Sequence, residues 1–409
     1  MNILFLTQYF PPEVGAPQNR LYELAVRLRQ KGMNISILTA MPNYPKMVVQ
    51  ENYKGRFYCN EKMNNLTVHR CYIFVKRSNS IIIRLLNYFS FVFSSAVIGA
   101  FKVKKFEYIF CESPPLFIGI SALFLCRIKK ARLIFNVSDL WPESAEKLGL
   151  VRNRFLLTIT RTLEEYLYKK ACLITCQTNG IKANILRRFH DKKVYWLKNG
   201  VDVEFFKDDG LNGRWRKNNF FSMNDFLVFY GGIFGHAQGL EIIIYAAQIL
   251  KDRQKIKFVL IGDGPEKEKL KKLKNELNLD NVLLFDPVSR EQMPEIISSI
   301  DLGIIPLRNI ELFKGAIPSK IFELLASKKP ILLGVEGEAY DLFIKDGRCG
   351  LSYKPEDAKD LADKIIQMQE SPSLAKGFGE QGYVYVKENF NRDNIANEFS
   401  YVLDNLSCS

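Results

Sequence analysis

The sequence predicts an α/β protein made of two doubly wound domains, each a parallel sheet with helices on both faces. Three observations carry this expectation. Short apolar runs rich in β-branched and aromatic residues alternate with helix-period segments along the whole chain. Within the runs polar and apolar residues do not alternate, which is the pattern of parallel strands buried on both faces. The alternation also restarts near the middle of the 409 residues, a length that suits two or three domains at ~100–200 residues each.

In the first half the expected strands are Asn2–Thr7, Asn34–Thr39, Glu107–Cys111, Arg132–Asn136, Cys172–Cys176 and Lys193–Leu197. The second half gives Phe226–Tyr230, Lys257–Ile261, Val282–Phe285, Leu302–Ile305 and Ile331–Leu333, with helices at about 239–251, 265–277, 290–299 and 319–328. The domains join near Asn199–Lys207, and the polar stretch Asp208–Asn224 reads as a loop. The boundaries are therefore 1–200 and 201–389, with a final helix over about 390–409 placed to pack back on the first domain.

A hydrophobic share of 47% and a charged share of 25% exclude a disordered chain. The charge is uneven: residues 1–200 hold 31 basic and 12 acidic side chains, net +19, whereas 201–409 hold 27 and 32, net −5. One half is thus expected to face a polyanion. Nucleic acid is disfavoured because no helix-turn-helix, RNP or zinc-finger pattern is present. Eight scattered cysteines without a C-x-x-C pair read as free thiols in a reducing compartment, and three histidines leave little for metal chemistry. The N-terminal MNILFLTQYF lacks the basic region and cleavage site of a signal peptide, which fits a cytoplasmic protein.

One run departs from the pattern. LLNYFSFVFSSAVIGAF, residues 85–101, carries no charge and is flanked by Lys76, Arg77 and Arg84 and by Lys102, Lys104 and Lys105. A spanning helix needs ~20 apolar residues, and this run includes Asn87 and three serines. Two readings stand: a fully buried helix, or an interfacial helix whose aromatic face (Tyr88, Phe89, Phe91, Phe93) enters the headgroups of an anionic membrane. The charge asymmetry favours the second, which places the protein peripherally on the inner face of the cell membrane.

The chemistry-bearing residues cluster at expected strand ends. In PSKIFELLASKKPIL, Pro318 and Ser319 suit a helix start with Ser319 as N-cap, and Lys320 adds a positive charge where backbone amides attract anions. A diphosphate could sit at Ser319–Lys320, with Glu323 one turn along accepting from vicinal hydroxyls such as those of a ribose. Two glycine turns precede it, Gly231–Gly239 with Gly232, and Gly262-Asp-Gly264; neither is G-x-G-x-x-G, which disfavours a nicotinamide cofactor. Arg308, just after another strand, offers a bidentate phosphate contact. In the first domain Gly15 precedes a helix, Glu112 follows the third strand, and Asp139 and Glu143 lie in SDLWPE after the fourth. Facing strand ends of this kind describe a cleft between the domains.

FPPEVGAPQNRLYELAVRLRQKG, DLWPES, GDGPEKEKL and PSKIFELLASKKPIL, in this order, resemble the GT-B-fold glycosyltransferases of family 4, in particular those that build bacterial O-antigen and capsule, and among them the L-fucosamine transferases. The resemblance implies retention of configuration, a nucleotide-diphosphate sugar donor of the UDP-linked kind on the C-terminal domain, and a lipid-linked saccharide acceptor on the basic N-terminal domain. It implies nucleotide contacts at Gly262, Gly264 and Glu323, approach of Gly15 to the diphosphate, and a place near the sugar for Asp139. Of the family's two glutamates eight positions apart, Glu323 matches the second and the first falls on Gly315; the family's phosphate-binding Arg and Lys fall on Ile233 and Gln238. Lys320 and Arg308 are then the expected substitutes for phosphate charge, with Asp139, Glu143 and Glu112 as candidate acceptor bases and no metal required. A nucleotide-sugar 2-epimerase and a non-catalytic membrane module are the alternative functions.

Overall fold

The computed structural model describes residues 1–13, 15–44, 47–78, 80–147, 151, 153–207 and 213–407. The chain divides into two compact units, Met1–Asn199 with Asp393–Ser409, and Gly200–Arg392.

The first unit is built on an eight-stranded sheet: β1 (Asn2–Leu6), β2 (Asn34–Ala40), β3 (Tyr58–Met63), β4 (Leu66–Cys71), β5 (Tyr108–Ser113), β6 (Arg132–Val137), β7 (Leu173–Cys176) and β8 (Val194–Trp196), in the order β3-β4-β2-β1-β5-β6-β7-β8. Every pairing is parallel except β3 with β4. That hairpin escapes the apolar-run reading because β3 is a half-exposed edge strand. Its signal was the Asn64-Asn65 pair, which turns the chain with φ of 44° and 63°, a region asparagine tolerates.

Helices cover both faces of this sheet. Leu21, Leu24 and Leu28 of helix Ala16–Gln30 and Phe399 and Leu403 of helix Arg392–Ser407 share one core with Phe5, Ile35 and Phe110 of the strands. On the other face, helices Ile81–Phe101, Ile118–Lys129, Arg154–Lys170 and Asn179–Arg188 pack on Leu4, Leu38, Ile109 and Phe135.

Helix Ile81–Phe101 contains the charge-free run. It is neither fully buried nor a membrane helix set apart: Asn87, Phe91, Ser94, Ser95 and Ile98 face inward, and Leu86, Phe89 and Phe93 face out. The expected aromatic face is therefore corrected. Phe91 lies in the core and Tyr88 is half-buried against Phe117. Asn87 sits inside because it donates to the Phe74 carbonyl at 2.7 Å and accepts from Gln8 Nε2 at 3.1 Å.

The second unit holds β9 (Phe226–Ile233), β10 (Ile256–Asp263), β11 (Val282–Phe285), β12 (Leu302–Pro306), β13 (Ile331–Gly334) and β14 (Gly350–Ser352), all parallel, in the order β11-β10-β9-β12-β13-β14. In the stretch expected to be a loop, residues 208–212 lie outside the described residues, and the rest includes the short helix Arg214–Asn218. Buried Arg216 anchors it, pairing with Asp301 and donating to the Ser299 carbonyl. Cys71, Cys111, Cys176 and Cys349 are buried thiols outside any disulfide, Cys59, Cys126 and Cys172 are half-buried thiols likewise unbridged, and Cys408 lies outside the described residues.

Candidate active site

In each sheet the strand order reverses once, at β1/β5 in the first unit and at β9/β12 in the second. Loops leaving the carboxyl ends of such neighbours run apart and open a crevice, the usual ligand position in this architecture. Gly15 follows β1 and Glu112 lies at the end of β5 at the first reversal, Gly232 lies at the end of β9 and Arg308 follows β12 at the second, while Asp139 and Gly262 lie one strand away in their own units.

In the second unit β9 ends in Gly231-Gly232 and β10 in Gly262, with Gly232 and Gly262 in register. A Cβ on Gly262 would lie 1.9 Å from the Gly232 carbonyl oxygen, and one on Gly264 (φ 156°) 2.4 Å from that of Phe234. These two glycines thus let neighbouring backbone approach, and the space they open is occupied by the chain's own turn. Gly232 differs: at φ 137° its Cβ position points at Lys320 Nζ, 3.3 Å away.

Lys320 is the cation of this crevice. Its Nζ stands 3.8 Å from the centroid of the buried Tyr230 ring, and no carboxylate is within ion-pair range among the described residues. Burial pushes the ammonium from 10.5 down to about 7, with the Glu323 charge pulling the other way. Tyr230, absent from the sequence reading, is its platform, held by a 2.8 Å bond from its hydroxyl to the Ile233 carbonyl. Only its place at the inward end of an apolar strand distinguished it, and core tyrosines share that.

Ser319 is corrected. It has helical dihedrals (φ −61°, ψ −26°) and makes no side-chain cap. The first turn closes instead through Ile321 N–H to Pro318 O and Phe322 N–H to Ser319 O, both 3.2 Å. Since helix Lys320–Ala326 has seven residues, Lys320 supplies charge that so short a dipole does not. Glu323, half-buried, lies one turn along, as its spacing required.

Arg308 is corrected as well. Its guanidinium pairs with Glu241 at 2.5 Å and Glu356 at 3.1 Å and donates to the His236 carbonyl at 2.7 Å. With those donors taken, it clamps the β12 loop to the glycine turn, helped by its own N–H to the Ala237 carbonyl at 3.0 Å. A Cβ on Gly315 would meet nothing within 4 Å, so the position of the missing carboxylate opens onto free space.

In the first unit Glu112, at the end of β5, is buried and engaged on both oxygens. Arg20 pairs with one at 2.7 Å and Ser138 donates to it, while Asn136 donates to the other at 2.6 Å. Arg20 also reaches Asn199 at 3.3 Å, which makes Glu112 the centre of a structural network and removes it as an acceptor base. Glu143 pairs with Lys147 one turn on at 2.7 Å, partly exposed, as a solvated helix pair.

Asp139 is the carboxylate that stays available. Half-buried beside Trp141, it accepts from Ser144 Oγ at 2.8 Å; burial raises its carboxyl above the usual range, the Ser144 bond opposes this, and the Glu143 charge adds to the rise. Gly15 precedes the first turn of helix Ala16–Gln30 at the β1/β5 reversal, with extended dihedrals that do not themselves require glycine. The sequence reading passed over Glu13, a buried carboxylate that ties its loop by accepting from the Asn43 and Tyr44 amides at 2.7 and 2.8 Å.

Comparison with known proteins bears on the family and the fold. Residues 18–205 match Glycosyltransferase Family 4, and residues 212–385 match Glycosyl transferases group 1. Glycosyl transferase WcaI of Escherichia coli, whose name assigns it to colanic acid biosynthesis, is 26% identical over 80% of this chain and 81% of its own. Alpha-D-kanosaminyltransferase of Streptomyces kanamyceticus is 26% identical over 54% of this chain and 57% of its own. Among solved structures, sucrose-phosphate synthase of Thermosynechococcus elongatus superposes with a TM-score of 0.79 at 16% identity, covering 100% of this chain and 99% of that one. Anabaena HepE, solved with UDP-glucose, gives 0.73 at 17% identity over 99% and 100%. Two Rossmann-like units, with the family 4 match over residues 18–205 and the group 1 match over residues 212–385, make the chain a GT-B glycosyltransferase.

Proposed function

We propose that this enzyme moves a sugar from a UDP-linked donor to a lipid-linked glycan in bacterial surface-polysaccharide synthesis, with retention of configuration and without a metal. The observation that carries the donor half is Lys320 at the β9/β12 reversal, desolvated and lacking a carboxylate partner. An anionic diphosphate would supply the missing countercharge, with the Glu323 carboxylate one turn away for a ribose. The UDP-glucose complex of HepE and the colanic acid assignment of WcaI support the donor and pathway classes.

Glycosyl transfer breaks the bond from the anomeric carbon to the diphosphate oxygen, so negative charge grows on the leaving group as positive charge spreads over the sugar ring. A fixed cation there gains in strength as that charge develops; removing one such donor costs ~10²–10³ in rate. For retention the acceptor oxygen attacks from the departing face, and a donor phosphate oxygen takes its proton. Asp139, with its raised carboxyl, is the protein group proposed to contact acceptor or sugar. The resemblance to the L-fucosamine transferases supports N-acetyl-L-fucosamine or a related amino sugar as the proposed sugar class.

Incubation with radiolabelled UDP-sugars and lipid-linked saccharide tests this directly. Label in the lipid fraction is expected. Isomerised sugar nucleotide would mark a 2-epimerase, and unchanged substrate across the donor panel would overturn the transferase reading.

A further inference from the structure

The charge-free run prompts a question about its surroundings: what lies beside its exposed face? Helix Ile81–Phe101 turns Ile82, Leu86, Phe89 and Phe93 outward, at 66%, 50%, 44% and 68% exposure, on the i, i+4, i+7, i+11 spacing of one stripe. Its neighbour, helix Ile118–Lys129, exposes Ile120, Phe124 and Ile128 on the same kind of stripe. The two touch through Ser95 Oγ donating to Ser121 Oγ at 2.9 Å and through Gly99, whose Cβ position meets Leu125. A third helix, Arg154–Lys170, joins at Gly119, whose Cβ position meets Leu167, and exposes Phe155 (75%) and Ile159. All three pack their inner faces on one core, so their outer faces lie side by side on one side of the first unit.

Around the first two of these stripes the charge is mostly of one sign, whereas helix Arg154–Lys170 also carries Glu164 and Glu165. Between Lys76 and Lys130 there are nine Lys and Arg against two carboxylates, Glu107 and the buried Glu112, and neither of the first two helices contains an acidic residue. Exposed Lys102, Lys104 and Lys105 follow the end of the first helix, and Arg127 and Lys130 close the second.

We infer that this three-helix face is a docking platform for an anionic lipid surface, on which the first unit lies with its apolar stripes in the acyl boundary and its cations among the headgroups. By length and composition helix Ile81–Phe101 could cross a membrane. Its inner face forbids this, because Asn87 and Ser94 donate to the Phe74 and Tyr72 carbonyls, and Ser90 accepts from the Phe74 amide at 2.8 Å. A second copy of the chain is the poorer occupant: a two-fold contact through this face would set the same cations against themselves. The platform goes beyond the transferase reading and does not depend on it.

Flotation of the full chain with phosphatidylglycerol–phosphatidylcholine vesicles and with phosphatidylcholine alone tests the platform. Binding is expected only to the anionic vesicles and is weakened by salt. Ile82→Ser with Phe93→Ser should lower the partition coefficient about tenfold, and Phe124→Ser with Phe155→Ser by a similar factor, since these side chains are exposed. Lys102→Glu with Lys104→Glu should remove the preference for anionic lipid. Far-ultraviolet circular dichroism and thermal unfolding check that the variants are folded, and a lowered Tm would mark damage rather than failed docking. Equal binding to both vesicles overturns the inference, as does an unchanged partition for the Phe124/Phe155 pair, or a dimer in sedimentation that these substitutions dissolve.

Discussion

Lys320 holds its charge in a place that resists it, against an aromatic ring and over a glycine, and this has a consequence for pH. Free of ligand, its ammonium titrates at about 7, far below the 10.5 of an exposed lysine. A bound diphosphate restores the charged form, so above pH 7 donor binding must take up a proton, and affinity should fall by up to about tenfold per pH unit. Calorimetry of UDP in buffers of different ionisation enthalpy would show the uptake at pH 8. Lys320→Ala should flatten that dependence and reduce turnover by ~10²–10³ with the fold intact; near-normal turnover would refute the phosphate role. Glu323→Gln is expected to weaken nucleotide binding while sparing stability, read by the same titration. Of these residues, Lys320 and Glu323 were legible from spacing. Tyr230 was not, since a tyrosine in an apolar strand looks the same whether its ring supports a cation or fills a core.

At the scale of elements, glycines that look alike in sequence separate into two kinds. Gly262 sits against the Gly232 carbonyl, so Gly262→Ala must push two strands' turns apart and should cost ~1–3 kcal/mol or more, visible as a lower Tm. Gly315 faces open space, and Gly315→Ala should change stability by no more than ~0.5 kcal/mol. The strand-to-helix turns were readable because apolar runs ended in glycine. What filled the space was not readable, because register places Gly232 beside Gly262, and register arises from pairing across 30 residues. The same applies to Glu112. Its buried pairing with Arg20 joins residues 92 apart, and Arg20→Ala should destabilise the first unit by ~3–5 kcal/mol by leaving a carboxylate unpaired in the interior.

For the whole molecule, the +19 of residues 1–200 and the −5 of the remainder correspond to different surfaces. In the first unit the cations frame exposed apolar stripes on three adjacent helices. In the second, Arg308 is held by Glu241 and Glu356, whereas Lys320 is desolvated and has no ion-pair partner among the described residues. Because the proposed transfer relies on that lysine, activity is expected to persist in EDTA; loss on chelation, restored by a divalent cation, would move the phosphate chemistry to a metal.

The sequence by itself determined the class of fold, eleven of the strands and the position of the donor-side lysine, since apolar periodicity, glycine turns and short-range helix spacing are local properties. The tertiary structure alone decided which cations were free. Arg308 and Lys320 both follow strands or open helices in sequence, yet one finds two carboxylates 67 and 48 residues away and the other finds a ring. It likewise divided the apolar helix into a core face and an outward face. Both outcomes depend on which distant segments are brought together, and electrostatic pairing and burial follow from that contact rather than from residue type.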